Sequence, residues 1–158
     1  MARIYDLEER LIDYTCRMID VVESLPKTRS GNYMAGQLIK SCHSPAFNYS
    51  EAQTAESPDD FIHKLKVVLK ELKECRTSLK IIIKKAYISP QSKLEPIYKE
   101  TEELIAIIGK SISTAEKTRN VPVTAMAIIA EWAPAAGWSK FKPIAIKGAA
   151  TLYVAAHL

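Results

Sequence analysis

Apolar side chains recur every three or four positions through four stretches of the first 119 residues, with charged side chains between them. In the first stretch Ile4, Leu7, Leu11, Tyr14, Met18, Val21 and Leu25 form one stripe, and Arg3, Glu8, Arg10, Asp13, Arg17 and Asp20 fill the gaps. This spacing predicts a helix from Ile4 to about Leu25. Pro26 stops it, and the polar run from Lys27 to Asn32 is expected to be a connection. A second helix is predicted from about Tyr33 to Thr54, with Met34, Leu38, Cys42, Ala46 or Phe47, and Tyr49 facing inward. Pro45 lies within it. Proline lacks an amide proton and clashes with the preceding turn, so a kink or local opening is expected near Ser41 to Pro45. Ser41, Ser44, Asn48 and Ser50 crowd the same segment and must find hydrogen bonds, with freed carbonyls or with a neighbouring chain.

The third helix has the clearest start. Ser57 can cap it, Pro58 suits its first position, and Asp59 and Asp60 set negative charge against its amide end. Phe61, Leu65, Val68, Leu72, Cys75, Leu79, Ile82 and Ala86 then alternate in a heptad-like face, while Lys66, Lys70, Lys73, Lys80 and Lys84 lie opposite. The helix is expected to end near Lys85 to Tyr87. Ser89-Pro90, or alternatively Ser92, offers the next start, and Leu94, Ile97, Thr101, Leu104 or Ile105, Ile108, Ile112 and Ala115 give a fourth stripe. Four amphipathic helices with short connections predict an all-α fold, an antiparallel up-down four-helix bundle over residues 1–120. From Val121 to Leu158 the chain turns alanine-rich, with both tryptophans and one acid, Glu131. Val123 to Trp132 is expected as a short helix and Ala149 to Ala156 as a helix or strand. Three readings of this tail stay open: docking on the bundle, mediating assembly, or being non-native sequence.

Composition narrows the function. Hydrophobic residues make up 47% and charged residues 25% of 158 residues, enough apolar matter to build a core and too much for a disordered chain. The net charge of +4 permits attraction to nucleic acid but falls short of a dedicated polycation. Cys16, Cys42 and Cys75 match no metal spacing and leave one thiol unpaired in any disulfide scheme, so reduced, buried thiols and a cytoplasmic location are expected. Met1-Ala2-Arg3 leads directly into the charged amphipathic pattern, so no export signal is expected, and no apolar run in the sequence is long enough to span a membrane.

Candidate chemistry is sparse. Cys42 and His43 are adjacent, so on a helix their side chains point about 100 degrees apart, and no carboxylate stands four residues after His43. His63 and His157 are isolated. Glycine-rich phosphate loops, paired cysteines and nucleophile elbows are all missing from the sequence. No catalytic residue, metal ligand or cofactor is therefore assigned, and the protein is expected not to be an enzyme. Asn48 and Glu51, three residues apart beside Pro45, are expected to be structural polar groups that bond across a helix or subunit contact. Lys66, Lys70, Lys73, Lys80 and Lys84 are the candidate contacts to phosphate, with Lys66, Lys73 and Lys80 repeating every seven residues. Lys70 with Glu74 can instead form a local pair. Function is thus expected to be binding of structured RNA or DNA by an oligomeric bundle. The alternative is a structural or protein-interaction scaffold whose lysines serve solubility.

The stretch from Gln37 to Ala52, with Gln37-Leu38, Ser44-Pro45, Asn48 and Glu51, followed by Phe61, Glu71-Leu72 and Glu74, resembles a four-helix-bundle family. That family is encoded in intervening sequences of bacterial large-subunit ribosomal RNA genes. The similarity covers about residues 3 to 118, with Ala52 standing where the family usually has glycine. The resemblance implies a homo-oligomer, a pentameric barrel of bundles. It also implies kinship with the accessory proteins of diversity-generating retroelements, which bind nucleic acid and a protein partner, a reverse transcriptase. It supplies no catalytic assignment.

Overall fold

The computed structural model describes residues 7–119 and the backbone of residues 141–144 and 152–155. Four helices run in order: α1 (Leu7–Glu23), α2 (Arg29–Gln53), α3 (Pro58–Lys84) and α4 (Glu95–Thr118), the last entered through a 3-10 turn at Gln91–Leu94. α2 packs along both α1 and α3, α3 along α4, and α4 returns to α1, so the four enclose one core in an up-down arrangement. Two short strands, β1 (Phe141–Ile144) and β2 (Leu152–Ala155), pair antiparallel with Phe141 opposite Ala155. The alternative left open at Ala149 to Ala156 is thus a strand where described. The helix expected at Val123 to Trp132 lies outside the described residues.

The predicted stripes are the core. Leu11, Tyr14, Met18, Val21 and Leu25 are buried from the first stretch, and Leu38, Cys42 and Tyr49 from the second. Phe61, Leu65, Val68, Leu72, Cys75, Leu79 and Ile82 follow from the third, then Leu94, Ile97, Leu104, Ile108, Ile112 and Ala115 from the fourth. Each fully buried large aliphatic side chain contributes roughly 1.5–3 kcal/mol relative to exposure, which is what holds helices whose own propensity is marginal. Where polar atoms enter this core they are paired. Thr101 donates its hydroxyl proton to the Ile97 carbonyl at 2.7 Å, so at the 3.0 Å contact between Tyr14 and Thr101 the phenol is the donor. Thr15 reaches from α1 to the Cys42 carbonyl of α2 at 3.0 Å.

Several boundaries differ from the pattern for local reasons. α2 begins at Arg29, so Arg29 to Asn32 are helical and not connection. The Thr28 hydroxyl accepts the Gly31 amide at 3.1 Å and caps the helix there. Gly31 permits this early start by close approach, since a Cβ at that position would stand 2.0 Å from the Pro26 carbonyl oxygen. The helix continues through Pro45 without the expected opening, and Pro45 itself is buried. Its serine and asparagine find partners within α2: Ser41 bonds the Gln37 carbonyl at 3.2 Å and Asn48 the Ser44 carbonyl at 2.9 Å. Of the two inward candidates, Ala46 is half-buried while Phe47 is exposed. Ala52, at the position the family gives to glycine, is fully buried, and Thr54 ends the helix.

Ser57 caps α3 as expected, accepting the Asp60 amide at 3.1 Å. Ala86 is not the last core position of α3. It lies past the helix at φ 50°, where its amide bonds the Ile83 carbonyl and the Tyr87 amide bonds the Ile82 carbonyl. Those two bonds form a Schellman closure with alanine in the left-handed seat that glycine usually takes. Neither Ser89 nor Ser92 caps α4, which follows the 3-10 turn with Pro96 in its first turn. Cys16, expected inside, is exposed, whereas Cys42 and Cys75 are buried.

Candidate interaction face

α3 sends its apolar stripe inward and so turns Lys66, Lys70, Lys73, Lys80 and Lys84 outward, all five exposed. They are not electrostatically alike. Lys66 pairs with Glu116 of α4 at 2.7 Å, and Lys70 sits 3.5 Å from both Glu71 and Glu74 on its own helix. The Glu71 field, then that of Glu74, holds the Lys70 ammonium above its ordinary range. Lys73, Lys80 and Lys84 make no ion pair among the described residues. The row is therefore partly neutralised at its Lys66 end and open at its Lys84 end.

Along the outer edge of the α2–α3 contact runs a groove of about 660 Å³. Tyr33, Met34, Gln37 and Ser41 of α2 form one wall, and Lys66, Leu69, Lys70, Lys73, Glu74, Thr77, Ser78 and Ile81 of α3 the other. Two of its large apolar groups face solvent, Tyr33 at 68% and Ile81 at 41% exposure. The sequence pattern passed over this feature, although it held a signal. In the run Ile81-Ile82-Ile83 successive side chains step by about 100 degrees, so once Ile82 enters the core one neighbour must turn out.

The other singled-out residues do not converge. Asn48 bonds Ser44, its carbonyl at 2.9 Å and its hydroxyl at 3.0 Å, entirely within α2. Glu51 instead crosses to α3 and pairs with Lys64. The two are thus placed on different partners. Cys42 and His43, expected to diverge, do touch, with sulfur and Nδ1 3.5 Å apart. They cannot act as a nucleophile and base. Nδ1 lies 2.7 Å from the Ile39 carbonyl oxygen, which can only accept, so Nδ1 carries the proton and has no lone pair for the thiol. Burial also pushes the Cys42 thiol up to about 11, which keeps it protonated. Cys75 is pushed further, to about 12, by burial, with the Ser41 and Tyr14 hydroxyls opposing it. Among the described residues no group of three histidines, cysteines or carboxylates could hold a metal ion, and no helix is long and apolar enough to cross a membrane.

Comparison with known proteins places this arrangement. A protein with unknown function from the S23 ribosomal protein family, from Bacteroides thetaiotaomicron VPI-5482, has a solved structure that is 27% identical to this chain. The match covers 69% of this chain and 100% of that one, with a TM-score of 0.64. A comparison with curated proteins finds no match. The family model described as 23S rRNA-intervening sequence protein matches residues 6–110, from the start of α1 to within α4 and including both walls of the groove. The chain therefore belongs to the 23S rRNA-intervening sequence protein family.

Proposed function

We propose that this chain is a non-catalytic helical bundle that serves as a scaffold for a protein partner. The observation that carries this reading is the α2–α3 groove, where exposed Tyr33 and Ile81 share one concavity with Lys66 and Lys70, both already paired with carboxylates. Exposed apolar side chains gathered in one concavity suit a protein surface, which can cover them, better than a phosphate backbone, which cannot. The buried chemistry is structural: the thiols are held protonated and the core hydroxyls are bonded to one another or to carbonyls.

A second reading is favoured by one observation. Lys73, Lys80 and Lys84 are exposed and unpaired among the described residues, and with Lys66 and Lys70 they would track the backbone of structured RNA or DNA. Titration of labelled duplex RNA and duplex DNA at about 50 and about 200 mM salt separates the two. The scaffold reading expects no binding at the lower salt. Salt-sensitive binding that weakens when Lys73, Lys80 and Lys84 are replaced by alanine overturns it in favour of the second.

Assembly is part of the proposal. The resemblance to pentameric bundles supports a homo-oligomer, and light scattering should give a mass about five times the 17.6 kDa of one chain. A monomer would remove the assembly from this reading.

A further inference from the structure

We infer that the α1–α4 seam carries a register lock, a conformational device that selects one sliding position of α4 against α1. The inference goes beyond the scaffold reading and does not depend on it. The other contacts join helices tied by short connections, α1 to α2, α2 to α3 and α3 to α4, and such ties limit sliding. No connection ties α1 to α4, so side chains alone must set their register.

Aliphatic packing by itself is nearly indifferent to that choice. Suppose α4 moved by one turn, about 6 Å, so that each seat received the residue four places further on. Ile108 would take the seat of Leu104 and Ile112 that of Ile108, and aliphatic would still meet aliphatic.

The polar groups are not indifferent. Tyr14 and Thr101 are 1% and 0% exposed, and they meet at 3.0 Å with the phenol donating. After the same move Ile105 stands opposite Tyr14, and the buried phenol loses its acceptor on α4. At the edge, Arg10 bonds Glu100 at 2.7 and 3.1 Å and Glu103 at 2.7 Å. The move sets Leu104 and Ile107 in their places. A move in the opposite sense sets Ile97 opposite Tyr14, and Pro96 and Lys99 opposite Arg10. Either way both contacts break together, one inside the core and one outside it. Arg10 and Tyr14 lie four residues apart on α1, hence on one face, so a single position of α4 satisfies both. Buried polar groups arranged in this way choose among packings that hydrophobicity leaves nearly equal.

Pulsed electron paramagnetic resonance on the full chain tests this, with spin labels on Asp20→Cys and Lys110→Cys, two exposed sites far apart along the seam. Exposed Cys16 is replaced by serine, and buried Cys42 and Cys75 escape the label. One narrow distance is expected with the lock intact. The triple variant Arg10→Gln, Tyr14→Phe, Thr101→Val leaves the aliphatic stripes as they are. It should stay helical by circular dichroism while the distance splits or spreads by about 6 Å. A single narrow, unshifted distance in that variant overturns the inference. Should the triple variant lose its helical signal, Tyr14→Phe with Thr101→Val is read in the same way, and loss of helix there too would make the pair a stabiliser and no lock. Urea denaturation adds a second reading. Thr101→Val alone should raise the unfolded fraction about tenfold, and adding Tyr14→Phe should restore most of that loss, because the phenol that lacked its acceptor is then gone. No restoration would mean that the two hydroxyls act independently, which also overturns the inference.

Discussion

The α1–α4 contact and the α2–α3 contact are built from the same helical period, yet one is closed at its outer edge and the other is open. On the α1–α4 side Arg10 forks onto Glu100, with Nε at 2.7 Å and Nη2 at 3.1 Å from the two carboxylate oxygens, and its Nη2 also reaches Glu103 at 2.7 Å. Hydrogen bonding to Glu100 raises the affinity of this guanidinium for its proton against the cost of its partial burial. Beneath it the Tyr14 to Thr101 bond joins the same two helices inside the core. The α3–α4 contact has a clip of the same kind, Arg76 to Glu102 at 3.3 Å.

The α2–α3 edge has its cross-helix pair, Glu51 with Lys64, near one end. Beside the groove, α2 presents Tyr33, Gln37 and Ser41, while Lys66 and Lys70 of α3 turn to acids on α4 and α3. The reason is composition. Over its length α2 carries Arg29, Lys40 and Glu51 as its only arginine, lysine or acidic side chains, so it has almost nothing with which to reach across. Closing a seam takes long charged residues on both helices, and α2 carries none between Arg29 and Lys40, the stretch that walls the groove.

The largest test of that difference concerns where α2 starts, because Gly31 fixes the end of the groove marked by Tyr33 and Met34. Gly31→Ala would set a Cβ 2.0 Å from the Pro26 carbonyl oxygen, and the backbone must move to admit it. Chemical denaturation should show a loss of about 2–3 kcal/mol, and an unchanged stability would mean that the turn at Pro26 is loose. Alkaline pH probes the core beneath both seams. Burial raises the thiol pKa to about 11 for Cys42 and about 12 for Cys75 in the folded protein. As pH rises above the ordinary thiol range near 9, the unfolded chain releases these protons and the folded chain keeps them, so stability is full below that range and falls above it. The slope expected is on the order of 1 kcal/mol per pH unit for each thiol. Melting curves of Cys42→Ala and Cys75→Ala should each depend less steeply on pH than the parent.

The closed and open edges are then compared directly. Arg10→Ala removes charged hydrogen bonds from a half-buried site and should cost about 1–2 kcal/mol. Lys70→Ala removes exposed contacts at 3.5 Å and should leave the stability nearly unchanged. Equal costs in urea denaturation would erase the distinction between the two seams. At the end of α3 the expected effect is also small, and its sign is opposite. Ala86→Gly relieves a left-handed alanine in the Schellman closure and should stabilise the protein by about 0.5–1 kcal/mol, read as a raised melting temperature.

Much of this architecture is written in the order of apolar residues. The stripe from Phe61 to Ile82 is buried as its spacing requires, and Ser57-Pro58 starts α3 where cap chemistry places it. Misplaced features share a cause. α2 begins four residues before the first apolar signal because a capping hydroxyl and a glycine lying on a carbonyl outweigh the polar look of Arg29 to Asn32. Phe47 lies outside because Ala46 occupies the adjoining inward position, and hydrophobicity alone does not choose between neighbours on a helix. For the candidate face, the sequence yielded the lysine row but neither its neutralisation by Glu116 nor the wall that Tyr33, Met34 and Gln37 add from another helix.

By itself, then, the sequence determined that there are four amphipathic helices, which side of each turns inward and where the third begins, because these depend on residues within a few positions of one another. Only the tertiary structure decided which edges are clipped shut, which lysines remain free and where an apolar groove is left exposed. Those outcomes depend on whether side chains distant in the chain, such as Arg10 and Glu100, are long enough and close enough to meet.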